Sequence, residues 1–308
     1  MALGVLSVVA VALSACAGQA PTSAVQKTDI SNVGTVEADA SLVALVPEDV
    51  KKTGLRVATS APFAPFEMFD SSQKLEGVDI DLANAVGAKL GLPVIIESVD
   101  FAGLIPAIKA GRYNAAIAGM EDTHARQEVF NFIDYNQSGA AAVVPTGNPE
   151  GIKTFADLCG RTVGVEQGST YDVVVENRKK LCADAGKEPV KLSKYPTQSA
   201  ALLAVRSGAV SALMTSKTTA LLLAADGAAE GRFDWVNDPQ EPKGYANNPG
   251  ESLSYSGIGI PKDNEKLFEA FYAAMQKLGE DGTTKKIFEK WHIGDNAVVP
   301  PLKNQAVG

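Results

Sequence analysis

Short apolar runs alternate with segments of helical periodicity along the chain from Leu55 onward. The runs LRVATS, PVIIES and NAAIAG are typical of buried strands, while residues 78–91 carry apolar positions at helical spacing and stop at a glycine. LIPAIKAG, between the second and third of these runs, also has a helical pattern. This succession predicts a mostly parallel sheet with helices on both faces.

A second alternation of the same kind follows the extended run SGAAAVVPTGNP. TVGVE, VKLSKY and SALMT are typical of strands, and the segments between them have helical patterns. LSYSGIGIPKD is extended again and precedes a helical pattern over residues 264–279. Two alternations joined by two extended crossings predict an α/β protein of two lobes.

Three loops of the first alternation are expected to meet at one edge of its sheet. Ligands bind beyond the carboxyl ends of strands in such sheets. Ser60, Phe101 and Gly119 each follow such an end. We therefore expect a binding site at this edge.

Residues 114–135 carry the clearest candidate for an anion site. Their strand stops at a glycine, where backbone amides can be exposed, and Asp122 or Thr123 can cap a short helix that carries Arg126. Free amides beside a guanidinium favour a carboxylate, because Arg can bind it through two parallel hydrogen bonds. The alternative is a solvated ion pair of Arg126 with Asp122 or Glu128.

Composition narrows the classes of function. The chain has 308 residues, of which 45% are hydrophobic and 21% charged, enough for two medium lobes with their own cores. A net charge of -8 and a pI near 5.0 argue against nucleic acid as a partner. The two histidines, His124 and His292, fit no metal-ligand spacing, so neither a metal nor another cofactor is expected.

The first residues predict export. Residues 1–15 form an apolar run that is too short to span a bilayer and ends in small residues, as secretory signal peptides do. The tetrapeptide ending at Cys16, LSAC, resembles the lipobox of bacterial lipoproteins, which implies a lipid on Cys16 that anchors the protein outside the cytoplasm. The alternative is a plain secretory signal with a chance cysteine. Residues 16–46 lack clear periodicity and are expected to form a flexible tether.

Two further cysteines remain in an oxidising exterior if Cys16 carries lipid. These are Cys159 and Cys182, both in the second alternation. We expect them to form a disulfide. The alternative is two buried free thiols.

The motifs of both alternations resemble those of one family. AGMEDTHARQEVFNFIDY resembles the stretch AGM-x-x-T-x-x-R-x-x-x-x-x-F-x-D-Y of the bacterial extracellular solute-binding proteins, family 3, the amino-acid receptors of ABC importers. Over residues 54–294 the other matching segments are, in order, TSAPFAPFEMFD, LEGVDIDLANAVGAKLG, VDFAGLIPAIKAGRYNAAIAGM, VGVEQGST and KIFEKWHIG. Several linked segments are more specific than any one motif. The chain is therefore identified as a member of this family.

Membership implies a two-lobed periplasmic-binding-protein-like fold of type II, with two mixed sheets flanked by helices. Two hinge crossings would lie near Gly139 and Ser254. The resemblance also implies a monomer that closes on a small-molecule carboxylate or amino acid and docks on an ABC permease in the membrane. The expected parts are lobe one at residues 54–138 plus 257–296, lobe two at residues 143–252, and a loose tail at residues 297–308.

The same resemblance assigns ligand contacts in lobe one. Arg126 would hold the ligand's α-carboxylate, with help from the backbone around Gly119 and Glu121. Phe63 and Phe101 match positions where aromatic rings sandwich the ligand side chain. The alternative is that both are ordinary core phenylalanines.

Lobe two would contribute Ser169 and Thr170, which follow the strand TVGVE and open a helix. Amides and hydroxyls at a helix N-terminus suit a carboxylate. Capping the helix is the more ordinary role of such residues, and the two roles are compatible.

Two positions, Ser216 and Glu121, depart from the family's pattern. In the family an aspartate binds the ligand's α-ammonium, but here GAVSALMTSK places Ser216 at that position, and a hydroxyl cannot neutralise an ammonium. Glu121 stands where the family usually has Ser or Thr, and Ser60 stands where an acidic or polar reader often sits. We hypothesise an amino-acid-like carboxylate whose amino group is read by Glu121 or by Glu251. A betaine or ectoine-like solute is the other option, since aromatic rings stabilise diffuse cations.

An enzyme on the same scaffold is the main alternative. Cyclohexadienyl dehydratases resemble this family, and a cleft glutamate such as Glu121 could act as a general acid or base if burial raised its pKa. The sequence shows no Ser-His-Asp, Cys-His or metal constellation, so a binding protein is expected rather than an enzyme. The sensor lobes of a receptor and a ligand-free scaffold protein are the remaining alternatives.

Overall fold

Two β-sheets, each covered by helices, organise the protein. The computed structural model describes residues 27–225, 233–237 and 254–306. The first part of the chain builds most of one sheet. Its strands and helices are β1 (Lys27–Ile30), β2 (Gly34–Glu37), α1 (Ala40–Val43), α2 (Glu48–Thr53), β3 (Leu55–Thr59), β4 (Met68–Phe69), β5 (Leu75–Glu76), α3 (Val78–Lys89), β6 (Val94–Ser98), α4 (Leu104–Lys109), β7 (Ala115–Ala116), α5 (His124–Gln127) and β8 (Phe130–Ser138).

The middle of the chain builds the other sheet, and the last part returns to the first. The middle elements are β9 (Ala140–Val144), β10 (Thr162–Glu166), α6 (Thr170–Asp184), β11 (Lys191–Tyr195), α7 (Gln198–Arg206), β12 (Ala212–Ser216), α8 (Lys217–Ala224) and β13 (Asp234–Val236). The last elements are β14 (Ser254–Pro261), α9 (Glu265–Glu280), α10 (Thr283–Lys290) and β15 (Ala297–Lys303). Short 3-10 helices lie at Phe101–Gly103, Phe155–Leu158 and Gly294–Asn296.

Both sheets are mixed, which confirms the predicted fold class. The first has the strand order β15-β8-β14-β7-β3-β6, in which β3 is parallel to β7 and β6, and β14 is antiparallel to β7 and β8. The second has the order β11-β10-β12-β9-β13, in which β10 is parallel to β11 and β12, and β9 is antiparallel to its neighbours. The parallel strands are those that the alternating pattern predicted.

Two crossings leave the first sheet side by side. β8 pairs with β14 as far as Ser138 opposite Ser254, with a shift of register between Ser256 and Gly257. β9 starts at Ala140 in the other sheet. The crossings therefore lie near the expected positions, but lobe one already includes β14 from Ser254 rather than from residue 257, and the strand of lobe two begins at Ala140 rather than at residue 143.

Each sheet has its own core. On the first sheet α3, α9 and α10 cover one face, and α4 packs on the other with Phe130 and Phe132. On the second sheet α6 covers one face, while α7 and α8 cover the other. Within the described ranges, no helix is both long and apolar enough to cross a membrane.

The predicted disulfide between Cys159 and Cys182 is confirmed. Their Cα atoms lie 5.6 Å apart, and the bond joins the end of the 3-10 helix Phe155–Leu158 to α6. Cys182 is fully buried in the core of lobe two. The alternative of two free thiols is therefore excluded.

Residues 27–46 do not form the flexible tether that was expected. β1 and β2 pair as a hairpin, α1 follows, and Ile30, Val36 and Leu42 are buried in the core of lobe one. The hairpin packs on α3 and the helix packs on α9. Because each of these elements has only four residues, no period can show in the sequence. Residues 1–26, including Cys16, lie outside the described residues.

Residues 297–303 are not a loose tail either. They form β15, which pairs antiparallel with β8, and Asn304 Oδ1 accepts a hydrogen bond from the Phe132 amide at 2.7 Å. Pro300 and Pro301 argue against a strand in the sequence, but β15 is at the edge of its sheet, where a missing amide donor is tolerated.

Candidate ligand-binding site

Arg126 is buried where the two lobes meet. Thr123 caps α5 and accepts a hydrogen bond from the Arg126 amide at 3.2 Å, so the predicted short helix forms. Nη1 of Arg126 donates to the Glu121 carbonyl oxygen at 2.8 Å and approaches the Glu121 carboxylate Oε2 at 3.4 Å. The side chains of Arg126 and Glu121 are only 8% and 5% exposed, which excludes the alternative of a solvated surface pair.

The same guanidinium reaches across to lobe two. Nη2 of Arg126 donates to the carbonyl oxygen of Gly168 at 3.2 Å, and Cζ lies 5.2 Å from the centroid of the Phe101 ring. Gly168 packs so closely on Ala102 that a Cβ at Gly168 would lie 3.3 Å from the Ala102 backbone. Phe101 and the loop before α6 therefore enclose Arg126 from opposite lobes.

The Gly119 amide is not free for a ligand, contrary to expectation. It donates to Asp79 Oδ2 at 2.6 Å, and Asp79 Oδ1 accepts a hydrogen bond from the Tyr135 hydroxyl at 2.6 Å. Asp79 lies at the start of α3, 40 residues before Gly119, and brings its carboxylate under the turn. The Asp79 carboxylate thus fixes the turn at Gly119, and nothing in the sequence indicated this contact.

The ring of Phe63 packs directly against the turn at Gly119. Its ring stacks on Phe66 with centroids 5.4 Å apart, and a Cβ on Gly119 would lie 2.6 Å from Phe63 Cε1. The neighbouring Ala64 carbonyl accepts a hydrogen bond from the Thr219 hydroxyl of lobe two at 2.9 Å. Phe63 therefore sits near the boundary between the lobes, packed on core residues of lobe one.

A second buried acid, Glu67, lies beside Asp79. Glu67 is 0% exposed, and its carboxyl group shares a side-chain hydrogen bond with that of Asp79. Burial, and next the charge of Asp79, raise the pKa of Glu67 well above its usual range. Burial also raises the pKa of Asp79 to about 6, although the Tyr135 hydroxyl and the Gly119 amide oppose that rise. Burial and the neighbouring charge thus favour the protonated form of Glu67.

Lobe two contributes an acid of its own at the end of β10. Burial, and then the charges of Glu121 and Asp100 from lobe one, raise the pKa of Glu166 to about 8. The charge of Glu166 in turn contributes to the raised pKa of Glu67. The Gln198 backbone amide donates to the Glu166 carboxylate, and no described residue forms an ion pair with it. The acids of lobe one are thus close enough to Glu166 of lobe two for their charges to act on it.

Two of the three hydroxyl residues predicted for the site in lobe two, Ser169 and Ser216, form hydrogen bonds with protein atoms near the start of their own helices. Ser169 Oγ donates to the Glu166 carbonyl oxygen at 2.7 Å, and the Thr170 hydroxyl is buried without a partner among the described residues. Ser216 caps α8, since its Oγ accepts from the Thr219 amide at 3.0 Å and donates to the Thr219 hydroxyl at 2.8 Å.

Sequence reasoning placed most of the site but missed its acids. Arg126, Glu121 and Phe101 come together as expected, and Ser60 is buried at the end of β3. Glu67, Asp79 and Glu166 all stand inside the motifs that carry the family resemblance, but the sequence does not show which acids the packing of the lobes will bury. Glu251 lies outside the described residues. Within the described ranges, no group of three or more His, Cys, Asp or Glu side chains could hold a metal ion.

Two mixed α/β lobes, joined by paired crossings and meeting over a buried arginine, define a two-lobed extracytoplasmic binding protein. The family model for bacterial extracellular solute-binding proteins, family 3, matches residues 55–294. The chain belongs to this family, and its function is to bind a solute outside the cytoplasm. The family and the function class predicted from the sequence are therefore confirmed.

Named relatives are similar over most of their length. The chain is 29% identical over 264 residues to the arginine-binding protein ArgT of Corynebacterium glutamicum, covering 85% of this chain and 82% of the relative. It is similar to the structure of an ancestral arginine-binding protein bound to arginine, with 37% identity, a TM-score of 0.65, and coverage of 77% and 97% of the two chains. It also resembles the ancestral amino acid-binding protein AncCDT-1, a precursor of cyclohexadienyl dehydratase, with 25% identity, a TM-score of 0.63, and coverage of 80% and 99%.

Proposed function

We propose that this protein is the receptor of an ABC importer for a cationic amino acid of the arginine class. The observation that carries the proposal is the closeness of acids from both lobes: the charges of Glu121 and Asp100 in lobe one act on Glu166 of lobe two, and Glu121 lies against Arg126. A ligand with one carboxylate and two cationic groups supplies the positive charge that such a cleft lacks. The names of the similar proteins, which are arginine-binding, agree with this choice.

The roles of the side chains follow from their places. Arg126 holds the ligand's α-carboxylate, since it is the one cation among the acids described above, and Phe101 lies against the same guanidinium. Glu166 is placed to neutralise the ligand's side-chain cation, because it has no cationic partner within the described residues.

The remaining predicted residues shape the cleft. Phe63 supplies an aromatic wall, and Gly119 lets that ring approach the turn. Ser60 and Thr170 are buried hydroxyls available to a ligand's polar groups. Ser169 and Ser216 act mainly through the loop before α6 and the start of α8, where their hydroxyls bind protein atoms.

Binding is coupled to closure of the lobes. Gly168 and Thr219 of lobe two contact lobe one through the Arg126 guanidinium and the Ala64 carbonyl oxygen. A ligand held between Arg126 and Glu166 would join the same two lobes, so it would favour the closed form. The closed monomer then docks on a membrane permease.

The N-terminus provides the attachment to the membrane. Residues 1–15 act as a signal peptide, and Cys16 carries the lipid, as the LSAC tetrapeptide indicates. Both lie outside the described residues. Mass spectrometry of the membrane-extracted protein should find a diacylglyceryl cysteine as the first residue, and an unmodified Cys16 would contradict the lipid anchor.

We also propose that the protein binds its ligand without converting it. The relative on the route to a dehydratase is itself described as an amino acid-binding protein. Glu121 and Glu166 have the roles of ion-pair partners in the cleft, which needs no transfer of a proton to or from a carbon of the ligand. Incubation of arginine with stoichiometric protein, followed by chromatography, should return arginine unchanged.

The test of ligand class compares arginine with citrulline by isothermal titration calorimetry, using the chain from Ala17 onward. The two ligands have nearly the same shape, but only arginine has a charged side chain. We expect arginine to bind at least about tenfold more tightly, since a charge-assisted hydrogen bond contributes about 1.5–3 kcal/mol. Glu166→Gln should remove most of that preference.

Glu188→Gln is the matched control, because Glu188 is an exposed glutamate of the same lobe that pairs with Lys191 at the surface. It should keep the preference for arginine. Equal affinity of the unmodified protein for arginine and citrulline would contradict a cationic ligand.

A further inference from the structure

Glu121 and Arg126 form a buried pair of opposite charges at the edge of the cleft. Their carboxylate and guanidinium are separated by 3.4 Å from Oε2 to Nη1, longer than the usual 2.7–2.9 Å of a charged hydrogen bond. The shorter contact of Nη1, at 2.8 Å, is to the Glu121 carbonyl oxygen. The guanidinium therefore makes its shorter hydrogen bonds to backbone oxygens, and its contact with the Glu121 carboxylate is a long one that leaves both groups with further hydrogen-bonding capacity.

The backbone fixes Glu121 at this place. Glu121 forms an isolated antiparallel bridge with Ser256 on β14, and the following amide, that of Asp122, donates to the Tyr255 carbonyl oxygen at 2.8 Å. Arg126 is fixed from the other side by the cap on α5 and by the Gly168 carbonyl oxygen of lobe two. The pair is thus held by β14, by α5 and by the opposite lobe at once.

Such a pair is complementary to an α-amino acid. The α-carboxylate and α-ammonium of a free amino acid are attached to one carbon, so they also present opposite charges side by side. A carboxylate and a guanidinium that lie next to each other can bind both groups at once: the carboxylate pairs with the ammonium and the guanidinium pairs with the ligand's carboxylate. Ser216, at the position where the family has its ammonium-binding aspartate, has its hydroxyl engaged with Thr219 as both donor and acceptor. Glu251, the other candidate for the ammonium, lies outside the described residues.

We infer that Glu121 binds the α-ammonium group of the ligand while Arg126 binds its α-carboxylate. This inference rests on the proposed function, since it requires an α-amino acid as the ligand. It divides the acids of the cleft between two tasks. Glu121 binds the α-ammonium that every α-amino acid carries, and Glu166 binds the cationic side chain.

The experiment removes the ammonium from the ligand and the carboxylate from the protein. Affinities of arginine and of 5-guanidinopentanoate, which is arginine without its α-amino group, are measured by calorimetry for the unmodified protein and for Glu121→Gln. We expect Glu121→Gln to weaken arginine binding by about ten- to a hundredfold, the range given by one charge-assisted hydrogen bond. Binding of 5-guanidinopentanoate should change by less than about twofold on the same scale.

Glu128→Gln is the control, since Glu128 is an exposed glutamate two residues beyond Arg126. It should leave both affinities unchanged. Circular dichroism melting of Glu121→Gln checks that the variant is folded, and retained binding of 5-guanidinopentanoate shows the same independently.

Two results would overturn the inference. An equal loss for both ligands would mean that Glu121 acts only by positioning Arg126. Tighter binding of both by Glu121→Gln would mean that the Glu121 carboxylate competes with the ligand for Arg126.

Failure of arginine to bind the unmodified protein is a different result and contradicts the proposed ligand class instead. The comparison is then made with glutamine and 4-carbamoylbutanoate, which differ by the same α-amino group. The assignment of Glu121 is supported if Glu121→Gln weakens binding of glutamine only, and it is contradicted if both ligands lose affinity equally.

Discussion

Glu166 has a carboxyl group whose charge depends on what occupies the cleft. With a pKa raised to about 8 by burial and by Glu121 and Asp100, it holds a proton at pH 7 in the ligand-free protein. A cation beside it favours the charged form, so binding of a cationic ligand releases this proton. The ligand's affinity is therefore linked to pH.

This linkage gives the first prediction. Affinity for arginine should rise as the pH increases from 6 to 8, because less work is then needed to remove the proton from Glu166, and it should level off above that pKa. Calorimetry in buffers of different ionisation enthalpy should detect a proton released at pH 7. Glu166→Gln should bind with little pH dependence over this interval. A fall in affinity with rising pH would contradict the role of Glu166.

Gly119 illustrates how tightly the site is packed. Its φ of 52° lies in the left-handed region, and a Cβ there would come within 2.6 Å of the Phe63 ring. Gly119→Ala should therefore destabilise the protein by about 1–3 kcal/mol and weaken ligand binding, since Phe63 must move. Urea unfolding and calorimetry measure the two effects.

Gly111→Ala separates strain from steric contact. Gly111 has a similar φ of 69°, but no atom lies within 4 Å of the position that a Cβ would take there. It should cost stability through backbone strain alone and leave ligand affinity intact. Equal effects of the two substitutions on affinity would contradict the contact between Gly119 and Phe63.

The sequence was sufficient to predict that Arg126 and Glu121 lie together in the site. It was not sufficient to predict the contacts that Asp79 and Glu166 make there. Arg126, Glu121 and the cap Thr123 lie within six residues, so local spacing brings them together. Asp79 reaches the Gly119 amide from 40 residues away, and Glu166 reaches the same cleft from the other lobe. Such contacts depend on the packing of whole elements, which periodicity does not specify.

At the scale of elements, the strands at the ends of the described chain were the hardest to predict. β3 and β10 were visible as apolar runs because both faces of a central parallel strand are covered. The hairpin of β1 and β2 has one buried residue per strand, and β15 contains two prolines. Their pairing depends on neighbouring strands and helices far away in sequence.

Removal of residues 297–308 should therefore destabilise lobe one. The deletion takes away the pairing of β15 with β8 and the hydrogen bonds of Asn304 to the Phe132 amide and of the Gln305 amide to Asp134. We expect the free energy of unfolding to fall by about 2–4 kcal/mol, since several hydrogen bonds of about 1 kcal/mol each disappear and β8 becomes the edge strand of the sheet. Thermal unfolding followed by circular dichroism measures it.

A shorter deletion is the control for that experiment. Removal of residues 307–308 leaves every one of these contacts in place and should not change the melting temperature. If the longer deletion also melted like the intact chain, β15 would contribute nothing to the sheet.

For the whole molecule, buried acids determine how stability responds to pH. Burial raises the pKa of Asp122 to about 6 and of Asp134 to about 7, in addition to raising those of Glu67, Asp79 and Glu166. A carboxyl group whose pKa is raised on folding holds its proton more tightly in the folded state, so stability falls as the pH rises from the unfolded value to the folded one. Each unit of difference corresponds to about 1.4 kcal/mol.

The protein without ligand should therefore be more stable at pH 5 than at pH 8. Asp134 is fully buried, and its Oδ1 has no hydrogen-bond partner among the described residues, so its ionised form is costly. Asp134→Asn should reduce the difference in unfolding free energy between these pH values by about 1–3 kcal/mol. Urea unfolding at both pH values measures it, with the exposed Asp263→Asn as a control that should keep the full difference. Greater stability at pH 8 than at pH 5 would contradict the prediction.

The paired crossings between the sheets limit how the two lobes can move. β8 and β14 stay hydrogen-bonded up to Ser138 and Ser254, so neither can bend at the boundary without the other. Pairing up to the boundary restricts bending there to motions that both strands can follow. A ligand that contacts both lobes therefore acts on a shared motion of the two strands, so its binding energy favours closure over independent movement of either strand.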